Sequence, residues 1–134
     1  MVKIAVLLNP AGDPVGVTCR GHAGFGEGGP DLVCAAVSAL TGALGIAFSE
    51  VIHLPVELSA GHGKFSLLLG PGSVDHPDWP SARTLLRTTW LALQQLACLN
   101  QGFLQLRTRR HPVEGATHPQ QAFRPSKRQE ESDK

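Results

Sequence analysis

The chain has 134 residues, 42% hydrophobic and 17% charged, which suits one domain with one core. No run is expected to approach the ~18 apolar residues of a membrane span, and Asn9-Pro10 cuts off the apolar stretch from Ile4 to Leu8 too early for a secretory leader. The net charge of +1 divides unevenly: residues 1–106 carry five basic and seven acidic residues, and residues 107–134 carry seven basic and four acidic. A mildly acidic body lacks the basic stripe of a dedicated nucleic-acid domain, so nucleic acid is expected only through the tail.

Val2 to Leu8 reads as a strand, followed by the turn-rich Asn9-Pro10-Ala11-Gly12-Asp13-Pro14. Val15 to His22 completes a hairpin, and Gly24 to Gly29 forms a glycine-rich loop. Asp31 is placed to cap a helix from Leu32 to Phe48, whose apolar residues lie nearly all round and predict burial. Val56–Leu58 and Lys64–Leu69 flank a turn at residues 59–63 and read as a second hairpin. Ser81 is expected to cap a second helix reaching Leu99, with Leu86, Trp90, Leu93 and Ala97 on its buried face. Phe103 to Thr108 reads as a last strand.

The order β-β-α-β-β-α-β predicts an α+β fold with two helices packed on a largely antiparallel sheet. The folded domain is expected over residues 1–108, with residues 109–134 a basic, disordered tail.

Three cysteines without regular spacing argue against a disulfide framework and for a reducing, cytoplasmic setting. The chain has no Cys-x-x-Cys and no His-Glu-x-x-His, so no metal and no cofactor is expected. Gly24-x-Gly26-x-x-Gly29 matches a dinucleotide fingerprint literally, with Glu50 at about the right distance. Against it, the strand before it ends in Arg20-Gly21-His22, and Pro30-Asp31 restarts the helix after the third glycine. Taken alone, Cys34 would be a small hydrophobe on an apolar helix. Cys19 reads as structural, Cys98 as core, and His53, His62, His76, His111 and His118 as solvated. Trp79 reads as packing or as the wall of an aromatic pocket.

Gly21-His22-Ala23, six further residues, and then Pro30-Asp31-Leu32-Val33-Cys34-Ala35-Ala36-Val37-Ser38-Ala39-Leu40 resemble the motif of the ribosomal-processing cysteine protease family. Leu32 stands where members carry isoleucine. The resemblance implies a homodimeric thiol protease that removes the N-terminal extension of bacterial ribosomal large-subunit protein twenty-seven, cutting after paired aromatic residues. By position it makes Cys34 the nucleophile and His22 the base. No membrane partner is implied. The basic tail departs from the compact family pattern.

The residue types suit that chemistry. A thiolate is the attacking species, and Asp31 as cap would put Cys34 in the helix's first turn, where free amides and the helix dipole favour negative charge. His22 as imidazolium would help and then protonate the leaving amine. The Cys34 amide, with a loop glycine, is expected to bind the oxyanion. Ser38 falls on the same helix face and either bonds near the thiolate or bonds a helix carbonyl. Gly21 leads into His22, and Gly24, Phe25, Gly26, Gly28 and Gly29 would form a movable loop over an extended substrate. Glu27 and Asp31 would attract a basic substrate. From other classes, the chain could be a non-catalytic ribosome- or RNA-associated module acting through its tail, or a nucleotide-binding domain.

Overall fold

The structure, a computed structural model, describes residues 1–21 and 30–111, with Pro30 and Asp31 as backbone only. The elements are β1 (Val2–Leu8), β2 (Pro14–Arg20), α1 (Pro30–Ile46), β3 (Val56–Gly61), β4 (Lys64–Leu69), α2 (Trp79–Leu99) and β5 (Leu104–Arg110). A π-helical turn at Ala47–Val51 ends α1, and a single 3₁₀ turn at Ser73–Asp75 precedes α2.

The strands form one sheet in the order β3-β4-β2-β1-β5. Pairs β1–β2, β2–β4 and β3–β4 are antiparallel, and among the described residues only β1–β5 is parallel. This is the expected α+β architecture. The β1–β2 connection is fixed by Asn9: its side-chain oxygen accepts from the Asp13 amide at 2.9 Å, and its carbonyl accepts from the Gly12 amide at 2.9 Å. Asn9 is buried, and these local bonds meet the cost of burying an amide.

The core lies where Ile4, Val6, Val17 and Leu67 of the central strands meet Leu86 and Leu93 of α2 and Val33, Val37, Leu44 and Phe48 of α1 and its π-helical turn. On α2 the buried positions are Ala82, Leu86, Thr89 and Leu93. The sequence pattern named Leu86 and Leu93 correctly, whereas Trp90 and Ala97 are only half-buried. Thr89 was not anticipated; its hydroxyl donates to the Leu85 carbonyl at 2.9 Å, so it can be buried without an orphan donor.

Several boundaries differ from the sequence reading. Helix α1 begins at Pro30, so Asp31 lies inside its first turn and is not the cap. Proline suits the first helical position because its missing N–H would have had no partner there. Similarly, α2 begins at Trp79, two residues before Ser81. Asp78 precedes it, but its carboxylate accepts the His53 amide at 3.0 Å and does not cap the helix. The second hairpin is longer than expected: β3 runs to Gly61, and His62 and Gly63 alone make the turn with φ of 53° and 75°. Positive φ at both central residues is a type I′ turn, which needs only two residues.

Helix α1 is not buried all round. Leu32 is 77% exposed, Ile46 60% and Val51 67%. Residues Leu32–Val51 are long and apolar enough to cross a membrane by length and composition, with mean hydropathy 2.0. One flank of this stretch nonetheless packs into the domain core through Val33, Val37, Leu44 and Phe48. At the far end, β5 continues through Arg109 and Arg110 beside Leu7 and Leu8, and His111 is buried, its amide donating to the Leu8 carbonyl at 2.7 Å. His111 is therefore not solvated. Cys98 is exposed, not core.

Leu67, fully buried on β4, an interior strand of the sheet, tests this core. Leu67→Ala is expected to lose about 2–5 kcal/mol of stability, measured by urea denaturation; a loss below about 1 kcal/mol would contradict its placement.

Candidate functional site

Pairing register puts Ala60, Phe65, Cys19 and Ile4 in one row across β3, β4, β2 and β1. Side chains of such a row stand on one face of the sheet. Helix α1 lies over this face, presenting Cys34, Ser38, Thr41, Gly42 and Gly45, which recur at helical spacing. Between helix and sheet is a cavity of ≈ 460 Å³ walled by these helix residues and by Ala60, Phe65 and Cys19 of the row. Its lining is mostly apolar, and among the described residues Lys64 is the one charged side chain on it. That volume falls within the range of small-ligand sites.

Cys34 is half-buried and lies at the cavity, packed against the core on one side. Cys19 faces the same cavity from β2 and is buried. Burial pushes its thiol up to about 11, and the negative charge available to Cys34 adds to the rise. Cys19 is thus a neutral thiol at physiological pH, a wall and not a nucleophile, as the sequence suggested.

Gly21 ends the described part of the chain beside this site. Its φ is +91°, and a Cβ there would stand 2.6 Å from the Met1 carbonyl oxygen. Both features demand glycine. Its amide donates to the Gly63 carbonyl at 3.1 Å, tying the exit of β2 to the β3–β4 turn. Gly21 is thereby held in place at the wall of the cavity.

His22, Gly24, Phe25, Gly26, Glu27, Gly28 and Gly29 lie outside the described residues, as does the side chain of Asp31. The expectation for the Cys34 amide needs correction. With Pro30 as the first helical residue, Cys34 is the fifth, one past the four amides that a helix leaves free. Its amide belongs to the helical ladder and is not an open oxyanion donor. Ser38 lines the cavity, but the bond back to the helix carbonyls is made by Thr41, whose hydroxyl donates to the Val37 carbonyl at 3.0 Å. Trp79 packs against the core and is not part of the cavity wall. Sequence reasoning missed Gly42, Gly45 and Lys64; the glycines at helical spacing from Cys34 were the available signal. Among the described residues no group of three His, Cys, Asp or Glu could hold a metal ion.

The model of the family described as cysteine protease Prp matches residues 1–104. The chain belongs to the cysteine protease Prp family. Prp of Staphylococcus aureus, an essential ribosomal processing protease, has been solved with a substrate peptide and superposes with a TM-score of 0.69 at 22% identity, covering 81% of this chain and all of that one. The same S. aureus Prp with a covalently linked product peptide gives 0.68 at 23% identity, with 81% and 100% coverage. A Streptococcus mutans protein gives 0.63 at 22% identity, with 82% and 95% coverage. No curated protein matches. At these identities the structures share the fold, and the Prp family match makes this chain a cysteine protease.

The neutral state of Cys19 has a measurable consequence. A thiol whose pKa is raised by folding stabilises the native state fully below its unfolded value near 9.0 and loses that contribution as pH rises through about 11. Stability is expected to fall between about pH 9 and 11, and the fall should be shallower in Cys19→Ala. Iodoacetamide should label exposed Cys98 before Cys19 at pH 8; equal rates would contradict the burial of Cys19.

Proposed function

We propose that this protease removes the N-terminal extension of bacterial ribosomal large-subunit protein twenty-seven in the cytoplasm, with Cys34 as nucleophile and His22 as base. The observation that carries this reading is an apolar cavity with a cysteine at its wall, within a chain of the Prp family. The name of the S. aureus enzyme, a ribosomal processing protease, supports the substrate class. An apolar lining suits paired aromatic residues, which gain from burial at about 25 cal/mol per Å².

In this reading the Cys34 thiolate attacks the carbonyl carbon of the scissile peptide and forms a tetrahedral oxyanion. His22 then protonates the departing amine, and water attacks the thioester to release the acyl product. Cys34 lies in the second turn of α1, beyond the strongest part of the helix dipole, so its activation depends mainly on the imidazolium of His22. Oxyanion donors come from amides ahead of Cys34.

The test uses a peptide spanning the extension and its junction. The parent should cleave it, and Cys34→Ala and His22→Ala should each lose at least about 10³-fold in kcat/KM. Cleavage surviving in Cys34→Ala would mean a different nucleophile. No cleavage by the parent, with ribosomal RNA binding that disappears on deleting residues 109–134, would instead favour the non-catalytic module.

We also propose a homodimer. Leu32, Val51, Leu91 and Leu99 remain well exposed on the two helices and the turn that ends α1, apolar side chain that a second copy would cover. Sedimentation equilibrium at micromolar concentration should return twice the 14.2 kDa chain mass; a monomer mass would refute the proposal.

A further inference from the structure

Cys19 is a nucleophilic group that peptide cleavage leaves unused, and it shares the cavity with Cys34. It stands in the row of Ile4 and Phe65, on the sheet face that α1 covers. Cys34 packs from α1 against the buried cluster to which Cys19 belongs. The two are close enough for negative charge on Cys34 to act on the Cys19 thiol. A disulfide needs the two Cα atoms within about 7 Å, and little on this flank of α1 opposes such an approach. Ser38 is small, and a Cβ added at Gly42 would meet nothing within 4 Å. The ≈ 460 Å³ between helix and sheet is the room into which the bond would draw them. Cys98, by contrast, is exposed on α2 and does not line the cavity.

From this shared cavity we infer that Cys19 is a resolving thiol: after hydrogen peroxide oxidises Cys34, the two sulfurs join in a disulfide that shuts the peptidase reversibly. The inhibition rests on the proposed reading of Cys34 as nucleophile, whereas the bond rests on the cavity alone. In the first step the Cys34 thiolate attacks one peroxide oxygen. An S–O bond forms, the O–O bond breaks, and the leaving hydroxide takes up a proton to become water. The Cys19 sulfur then attacks the sulfenic sulfur. An S–S bond forms, the S–O bond breaks, and hydroxide departs with the Cys19 proton as a second water. Two thiols are oxidised to one disulfide, and one hydrogen peroxide is reduced to two waters. Conversion of the Cys34 thiolate to sulfenic acid also removes the negative charge that, after burial, holds Cys19 protonated. A thiol already in place reacts ahead of a second peroxide, which keeps Cys34 from irreversible sulfinic acid. A transient, sensing disulfide is the kind that a reducing compartment permits.

The experiment treats the full chain with hydrogen peroxide and digests it with trypsin in the absence of reductant. Arg20 lies between the two cysteines, and the next basic residue after it is Lys64. The bond should therefore join the peptide Ile4–Arg20 to Gly21–Lys64, two hydrogens lighter than their sum. Cleavage of the extension peptide should fall at least about 10-fold and return with dithiothreitol, since a disulfide is reducible where a sulfinic acid is not. Cys19→Ser and Cys19→Ala, each measured against its own untreated rate, should regain at most about half as much, with Cys34 recovered as sulfinic acid. Cys98→Ser should behave as the parent. Absence of the linkage, or a linkage through the Cys98 peptide instead, overturns the inference. So does equal recovery in the parent and the Cys19 variants. A linked protein that cleaves undiminished overturns both the inhibition and the assignment of Cys34 as nucleophile. The mapping needs no substrate, so a parent that cleaves nothing sinks the peptidase reading, and with it the inhibition, while the linkage still decides the bond.

Discussion

One helix divided between two tasks governs this molecule. Val33, Val37, Leu44 and Phe48 fasten one flank of α1 and its terminal turn to the core, while a neighbouring flank bearing Cys34, Ser38 and Gly42 stands clear of the sheet. Were α1 to roll toward the sheet, the cavity would fill and Cys34 would be sealed in. Were it to lift away, four apolar anchors would be lost, each worth about 1.5–3 kcal/mol of burial. The gap is therefore held open by packing elsewhere on the same element, a rigid way to present a reactive sulfur beside empty space.

The cavity's two cysteines illustrate how position decides chemistry. Cys19, on a central strand with β1 on one side and β4 on the other, is buried and stays protonated to high pH. Cys34, on a helix flank only half covered, keeps access to the cavity. The same atom type serves once as wall and once as candidate nucleophile.

Much of this was legible in the residues. Short apolar stretches bounded by turn residues at Val2–Leu8 and Lys64–Leu69, and the helical recurrence of Leu86 and Leu93, gave the elements and their order because such patterns survive into the packed structure. Helix starts were misplaced at both Asp31 and Ser81, since proline at Pro30 and Pro80 tolerates a first turn that side-chain capping preferences do not reveal. The all-round apolarity of α1 suggested full burial, but composition cannot say how many neighbours a helix has. Cys34 was found through the motif around it; the cavity beside it depends on the register of Ala60, Phe65 and Cys19, which no local pattern encodes.

The parallel pairing of β5 with β1 reaches farther than a reader of the chain would guess. Its last rungs set Arg109 against Leu7 and Arg110 against Leu8, and His111 closes over the end of β1. The outermost strand thus works as a clasp on the one that opens the chain. Any shortened version of the protein that stops at Thr108 would leave the Leu8 carbonyl unmatched and unfasten the edge of the sheet from its far corner inward.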